Sequence, residues 1–509
     1  MVNQIQILDT TLRDGEQTSG VSFTVKEKRS IAELLLQELR VDRIEIASAR
    51  VSEGEFNAAK SICDWARNYS MLDRVEILGF VDGYKSIEWI KKAGGTVCNL
   101  LCKGSLNHLT HQLRKTVSQH IEDIRDFVDN AHKENLSVNV YLEDWSNGIR
   151  QNAGYVEELV NGIKDIGIKR FMLPDTLGVL TPPDTSKLCR WMLDKFSSLK
   201  FDFHAHNDYG LAVANVMAAI EAGIDGIHTT INGLGERAGN APLSSVIGIV
   251  NDHIKIKNNI DETKLNNASR LVELFSGIRV SPNTPIIGEN VFTQCSGVHA
   301  DGDHKNNLYF NELMPERFGR TRVYALGKTS GKANIKKNLE NIGISLSDED
   351  LQKVTRRVIE LGDKKESVSA EDLPYIVSDV LKNDTAEHPI QLSNYSVSST
   401  MSLRSSASVA LSINDTIHEA SASGQGQYDA FMRAIKDIYS RIGKDFPELQ
   451  DYCLTIPPGG KADALVETVI TWSIGGKVFK TKGLDSDQTC AAVNATIKML
   501  NIIELDSKS

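Results

Sequence analysis

The chain has 509 residues, with 57 basic and 67 acidic side chains and a net charge of −10, which argues against a nucleic-acid partner. Hydrophobic residues make up 41%, enough to bury a large core across two or three domains, yet no run of about eighteen apolar residues is available to span a bilayer. The start, Met1-Val2-Asn3-Gln4-Ile5, lacks the basic and apolar regions of a secretory leader, and the seven scattered cysteines include no C-x-x-C pair. Free thiols in a cytoplasmic protein are the expectation.

For its first half the chain alternates β-rich runs with amphipathic helical patterns. Strands are predicted at Ile5–Leu8, Arg43–Ala47, Val75–Phe80, Thr96–Leu101, Ser137–Tyr141, Arg170–Leu173, Phe201–His204 and Gly226–Ile231. Helices are predicted between them at Lys26–Glu38, Phe56–Asn68, Gln119–Glu134, Tyr155–Asp165, Thr185–Phe196 and Ala212–Ala222, several ending in a glycine turn. Eight strands with intervening helices predict an α/β fold, a (β/α)8 TIM barrel over 1–259. No G-x-G-x-x-G follows the first strand, which counts against a dinucleotide fold.

A barrel carries its active site at the C-terminal strand ends, and the polar residues fall there. Strand 1 runs into Asp9-Thr10-Thr11-Leu12-Arg13-Asp14-Gly15-Glu16-Gln17, strand 5 into Glu143-Asp144, and strand 6 into Asp175-Thr176. Strand 7 ends in His204-Ala205-His206-Asn207-Asp208, and strand 8 in Asn232-Gly233-Leu234-Gly235-Glu236-Arg237-Ala238-Gly239-Asn240. Residues i and i+2 of a strand share a face, so His204 and His206 can point at one ion. With the carboxylate of Asp14 and the amide carbonyl of Asn240 they make a donor set for Zn, Mn, Fe or Co, or for Mg if oxygen ligands dominate. Such an open site can grip the keto and carboxylate oxygens of a 2-oxo acid together. Arg13 can then face the oxygen that gains charge, or else serve as a salt-bridging arginine of the turn. The glycines at 233, 235 and 239 read as shaping a tight loop rather than cradling phosphate.

D-T-T-L-R-D-G-E-Q at 9–17, H-A-H-N-D at 204–208 and N-G-L-G-E-R-A-G-N at 232–240 resemble the three signature stretches of the DRE-TIM acyltransferases, the 2-isopropylmalate, homocitrate and citramalate synthases. The resemblance extends over essentially the whole chain. It implies condensation of acetyl-CoA with a 2-oxo acid and hydrolysis of the thioester, with Asp14, His204, His206 and Asn240 as ligands of a divalent metal (Mg, Mn, Zn or Co). Arg13 matches the arginine that polarises the keto group, and Gln17 is carried over as a cofactor-binding residue. Glu16 departs from the first motif, with no change of chemistry expected. The stretch Tyr141-Leu142-Glu143-Asp144-Trp145-Ser146 is similar to the citramalate branch. There Leu78 and Leu101 wall the pocket, Tyr141 closes it above the substrate methyl, Thr176 binds the carboxylate and Glu143 assists activation of the acetyl methyl. Pyruvate is thus the expected 2-oxo acid, with 2-oxoisovalerate the alternative. A lyase on the same barrel, or a non-catalytic amino-acid-binding protein, are the remaining readings.

Beyond the barrel, residues 260–335 resemble the family's linker subdomain, whose His299 and Tyr309 would take part in proton transfer to or from acetyl-CoA and CoA. Leu326-Gly327-Lys328-Thr329-Ser330-Gly331-Lys332 lacks P-loop spacing and reads as a loop before a helix. Helices are predicted at Asp348–Leu361 and Ala370–Lys382 within a segment 336–391 that ends in the polar linker Asn383–Gln391. From 392 to 509 a strand–strand–strand–helix pattern occurs twice: Val397–Ser402, Ser406–Ile413, Thr416–Ser423 and Gly426–Ile442, then Leu449–Ile456, Ala464–Ile474, Lys477–Leu484 and Gln488–Met499. This resembles the family's C-terminal regulatory domain, which forms a homodimer and binds an end-product amino acid. The loops Ala422–Gly426 and Gly483–Asp487, at the helix N-termini, are the candidate contacts for that effector.

Overall fold

The computed structural model describes residues 4–294, 308, 311–341, 344–363, 368, 373–381, 390–399, 403–414, 416–455, 466–475 and 477–506. The chain divides into two compact units, the first reaching Thr293 and including the stretch that ends at Val323, the second continuing from Tyr324.

The first unit is the TIM barrel. Its strands are β1 (Gln6–Asp9), β2 (Arg43–Ser48), β3 (Val75–Phe80), β4 (Val97–Lys103), β5 (Ser137–Glu143), β6 (Phe171–Asp175), β7 (Phe201–Ala205) and β8 (Gly226–Thr229). All pair in parallel, and β1 closes the ring by pairing with β8, Ile7 opposite Ile227. These strands are buried on both faces, which is why their sequences read as nearly continuous apolar runs. Helix entry follows side-chain caps: Thr24 and Glu27 form a capping box, as do Thr116 and Gln119, and Thr181 caps a helix that starts with Pro182.

Between β3 and β4 lies a helix at Lys85–Lys92, of which the sequence marks the C-terminal turn Ala93-Gly94-Gly95 but not the helical stretch itself. At only eight residues, its periodicity is too short to register. The helix predicted at Tyr155–Asp165 instead begins at Trp145 and runs to Ile163, with a break at Asn152, whose backbone leaves the helical region. Strand β8 ends at Thr229, and Ile231–Gly233 forms a 3-10 turn in place of the predicted strand end.

In the second unit Lys332–Asn341 is the helix that follows the 326–332 loop, and it packs with Asp348–Asp363 and Leu373–Leu381 around Ile335, Leu339, Leu351, Val354 and Val358. The C-terminal part has two three-stranded antiparallel sheets, each followed by a helix. The first is Ile390–Ser398, Ser405–Ile413, Thr416–Gly424 and helix Gln427–Arg441; the second is Glu448–Thr455, Val466–Ile474, Lys477–Asp485 and helix Gln488–Asp506. The first strand therefore lies at 390–398 rather than at the predicted 397–402, displaced because Ile390 is a core residue and Ser399 already lies beyond the ladder. Asn414 and Gly475 take positive φ at the two hairpins, as tight turns require. The halves are latched end to end: the Asn501 amide accepts from Ile390 N at 3.0 Å and donates to Ile390 O at 2.9 Å.

Close backbone approach fixes the β5 mouth. A Cβ on Gly148 would lie 2.1 Å from the Gly104 carbonyl oxygen, and one on Gly104 would lie 2.3 Å from that of Leu142. Gly148→Ala is expected to destabilise the barrel by about 1–3 kcal/mol through backbone displacement, read as a lowered thermal midpoint against wild type.

Candidate active site

The turn after β1 is wound around one carbonyl: the N–H groups of Arg13, Asp14 and Gly15 all donate to Thr10 O. Two threonines bind this turn to the loop after β8. Thr11 Oγ1 accepts from Ile231 N at 2.8 Å, and Thr18 Oγ1 accepts from Gly235 N at 2.8 Å. From outside, the buried Lys28 ammonium donates to Leu12 O and Ile46 O and pairs with Glu16 at 2.6 Å and with Glu55. Glu16, the departure noted in the first motif, thus anchors the turn.

On this frame Asp14 Oδ2 stands 3.0 Å from His204 Nε2 and 3.8 Å from His206 Nε2. All three are buried, and their ligating atoms lie within 4.8 Å of one another. Among the described residues it is the one such group of histidines, cysteines and carboxylates. Burial works against the Asp14 charge, but Arg13 and the two imidazoles hold its carboxyl well below the usual range. Burial, with His204 nearby, pulls His206 down to about 4, so its ring offers a lone pair at neutral pH.

Asn240 completes the group. Its Nδ2 donates to Asp14 Oδ2 at 3.2 Å and to Leu234 O at 3.0 Å, while its Oδ1 is buried without a partner. Turning the amide over would aim Oδ1 at two acceptors, an arrangement a cation stabilises. Two imidazoles, a carboxylate and an orphaned amide oxygen fit a divalent ion. Asn240 is held there by a loop that only glycine permits: a Cβ on Gly235 would lie 2.3 Å from Asn240 Nδ2, and one on Gly239 would lie 2.0 Å from Gly233 O, both at positive φ.

Arg13 sits beside this group. Its Nε donates to Glu45 Oε2 at 2.6 Å, its NH2 to the Tyr141 hydroxyl at 3.2 Å, and its NH1 lies 3.5 Å from Asp14 Oδ1. The guanidinium also lies 5.5 Å from the Tyr141 ring centroid. Tyr141 belongs to a small apolar cluster inside the mouth with Leu8, Leu78 and Met172, against which Phe80 and Leu101 pack. The three pocket residues named from the sequence, Leu78, Leu101 and Tyr141, are therefore brought together.

Glu143 is ion-paired with Lys103, which is itself nearly buried. Thr176 Oγ1 accepts from Asp144 N at 2.9 Å, leaving its hydroxyl proton to donate elsewhere. Gln17 is exposed on the short turn after Asp14. His299 and Tyr309 lie outside the described residues.

Several residues of the site escaped the sequence reading. Glu45 also accepts from Asn99 Nδ2 at 2.8 Å, and Asn99 in turn donates to Glu76 at 2.9 Å. Below them Arg43 bridges Glu76 and Asp202, and Arg170 joins Asp202 to Gln6. Charged residues inside β-strands were the available signal, for they are costly to bury unless paired. At the rim Arg237 ties three loops, binding Asp208 at 2.7 Å and Thr176 O at 2.8 Å.

Three family models match successive parts of the chain: HMGL-like over residues 4–272, the homocitrate synthase post-HMGL domain over 286–366, and the LeuA allosteric (dimerisation) domain over 367–504. A probable 2-isopropylmalate synthase of Methanopyrus kandleri is 37% identical over 98% of this chain and 98% of its own length. From Methanocaldococcus jannaschii, a 2-isopropylmalate synthase is 35% identical over 98% of this chain and 95% of its own, and an (R)-citramalate synthase is 34% identical over 98% and 99%. The chain belongs to the HMGL-like family, in the DRE-TIM branch of acyltransferases that couple this barrel to a LeuA domain.

Proposed function

We propose that the chain condenses acetyl-CoA with a 2-oxo acid, most readily pyruvate, to give (R)-citramalate and CoA. The observation that carries the choice of pyruvate is the seating of Tyr141. Its ring is buried in the apolar cluster beside the histidine pair, and its hydroxyl is tied to Arg13, Glu45 and His228. A ring so held leaves room for a methyl group rather than a branched side chain. The reading of the substrate as 2-oxoisovalerate is favoured by the 37% identity to a probable 2-isopropylmalate synthase.

Asp14, His204, His206 and Asn240 would hold the divalent metal, which would supply a Lewis acid for the keto group of the 2-oxo acid. Thr176 donates to the substrate carboxylate. Arg13, held in place by Glu45 on one side and Tyr141 on the other, offers N–H to the keto oxygen as it takes on negative charge. Glu143, with His299 and Tyr309, takes part in removing a methyl proton from acetyl-CoA. The carbanion so formed attacks the keto carbon, and the keto oxygen gains the proton. Water then cleaves the C–S bond, leaving the carboxylate and CoA thiol. Glu143 reaches that position ion-paired with the nearly buried Lys103. The C-terminal domain forms the dimer contact and takes the end-product amino acid, isoleucine if the product is citramalate.

Release of CoA, followed with a thiol reagent and a divalent metal, is expected to be faster with pyruvate than with 2-oxoisovalerate at equal concentration. The opposite order would make this a 2-isopropylmalate synthase. Asp14→Ala is expected to lower Mn(II) affinity at least about tenfold by calorimetry, together with turnover; undiminished affinity would remove Asp14 from the ligand set. Isoleucine, rather than leucine, is expected to slow the full-length enzyme, and a chain ending before residue 392 is expected to keep turnover and lose that inhibition.

A further inference from the structure

We propose that His228 fixes Tyr141 across the mouth of the barrel and so sets the largest 2-oxo acid side chain the site accepts. This rests on the reading of Tyr141 as a wall of the substrate pocket.

His228 stands on β8 with its side chain wholly inside the barrel. Its Nδ1 lies 3.1 Å from the Tyr141 hydroxyl, and the two rings meet edge to face with centroids 5.5 Å apart. On the far side of the imidazole, Nε2 lies 3.5 Å from Asp202 Oδ2. That carboxylate is held by Arg43 and Arg170, each at 2.5 Å, so it cannot follow a moving ring. An anion facing Nε2 draws the imidazole proton to that nitrogen and leaves Nδ1 as an acceptor. The Tyr141 proton has two acceptors in reach, His228 Nδ1 and, at 3.3 Å, Glu45 Oε2. Glu45 already receives Arg13 Nε at 2.6 Å and Asn99 Nδ2 at 2.8 Å. Among the described residues Tyr141 is the one hydrogen-bond partner of His228 Nδ1, and with the imidazole proton on Nε2 the phenol donates to Nδ1 while its oxygen accepts from Arg13.

The phenol is thereby clamped from both sides. The Tyr141 ring also stands edge-on to His204, 6.3 Å between centroids, so any swing to admit a branched substrate takes place next to the proposed metal ligands. Swinging away would strand a buried acceptor on His228, and burial makes such a loss costly. A packing residue alone would not discriminate between substrates in this way. His228 is a positioning residue: it acts on the substrate through Tyr141.

The test compares kcat and KM for pyruvate and 2-oxoisovalerate in the full-length enzyme, its fold checked by melting temperature. His228→Leu removes the acceptor and is expected to raise the ratio of kcat/KM for 2-oxoisovalerate over pyruvate by about tenfold or more, chiefly through a lower KM for the larger acid. His228→Asn keeps an oxygen near the place of Nδ1 and is expected to stay within about threefold of wild type. Tyr141→Phe breaks the same bond from the other end and should relax selectivity equally, with no further change on adding His228→Leu. An unchanged ratio in His228→Leu would overturn the proposal, as would His228→Asn shifting it as far as His228→Leu. If His228→Leu does not fold, Tyr141→Phe decides: an unchanged ratio overturns the proposal. Wild-type preference for 2-oxoisovalerate would instead refute the pyruvate reading, and the response of the ratio to His228→Leu would still be read separately.

Discussion

The ion pair between Arg13 and Glu45, 2.6 Å long and shut inside the barrel, is the contact on which the rest of the site depends. Glu45 is wholly buried and Arg13 nearly so, and neither would be tolerated there without the other. Around them Asp14 flanks Arg13 on one side, the Asn99 amide joins Glu45 to Glu76 on the other, and Glu76, Arg43, Asp202 and Arg170 then alternate in sign below. Each ion has a partner of opposite sign, so removing one strands the next. A barrel filled only with aliphatic side chains would be simpler to pack, but it could not aim a guanidinium with a bidentate-capable fork at its mouth. The polar interior thus orients the site from beneath, and the threonine ties between the first and last loops orient it from above.

The fold was largely legible because barrel strands are both apolar and regularly spaced. All eight were found, and the errors were of one or two residues at their ends, where a ladder runs on into a loop that keeps polar residues. The grouping of Asp14, His204 and His206 was legible too, since the two histidines alternate at the end of β7 and Asp14 lies in a motif of unusual composition. What stayed hidden were the polar contacts inside the barrel, which depend on strand order around the ring and carry no motif. Arg13 meets a glutamate 32 residues away, and Tyr141 meets a histidine 87 residues away. Nothing local in the sequence marks His228 as a partner of Tyr141, because only ring closure carries β8 across from β5. Lys103 escaped for a different reason: at the end of β4 it reads as an ordinary solvated lysine, and its pairing with Glu143 follows from their register, residue against residue.

The substrate question turns on a narrow margin of energy. An apolar pocket separates acids differing by a methylene by only about 1–3 kcal/mol, so a small freedom in one ring can erase the distinction. The sequence comparisons reflect this closeness, with a 2-isopropylmalate synthase and a citramalate synthase from one organism at 35% and 34% identity.

The latch between Ile390 and Asn501 reaches beyond the finished molecule to the order in which it is made. Its two residues are 111 apart in sequence, and Asn501 lies on the last helix. During synthesis the opening strand of the C-terminal domain can pair with Ser405–Ile413 early, but the Ile390 N–H and C=O must wait for the Asn501 amide until residue 501 has left the ribosome. The barrel, complete far earlier, has time to fold as a unit meanwhile. Vectorial synthesis would then make the barrel first and the latch last, and chains halted before residue 501 would carry a first sheet whose Ile390 backbone groups are still unlatched.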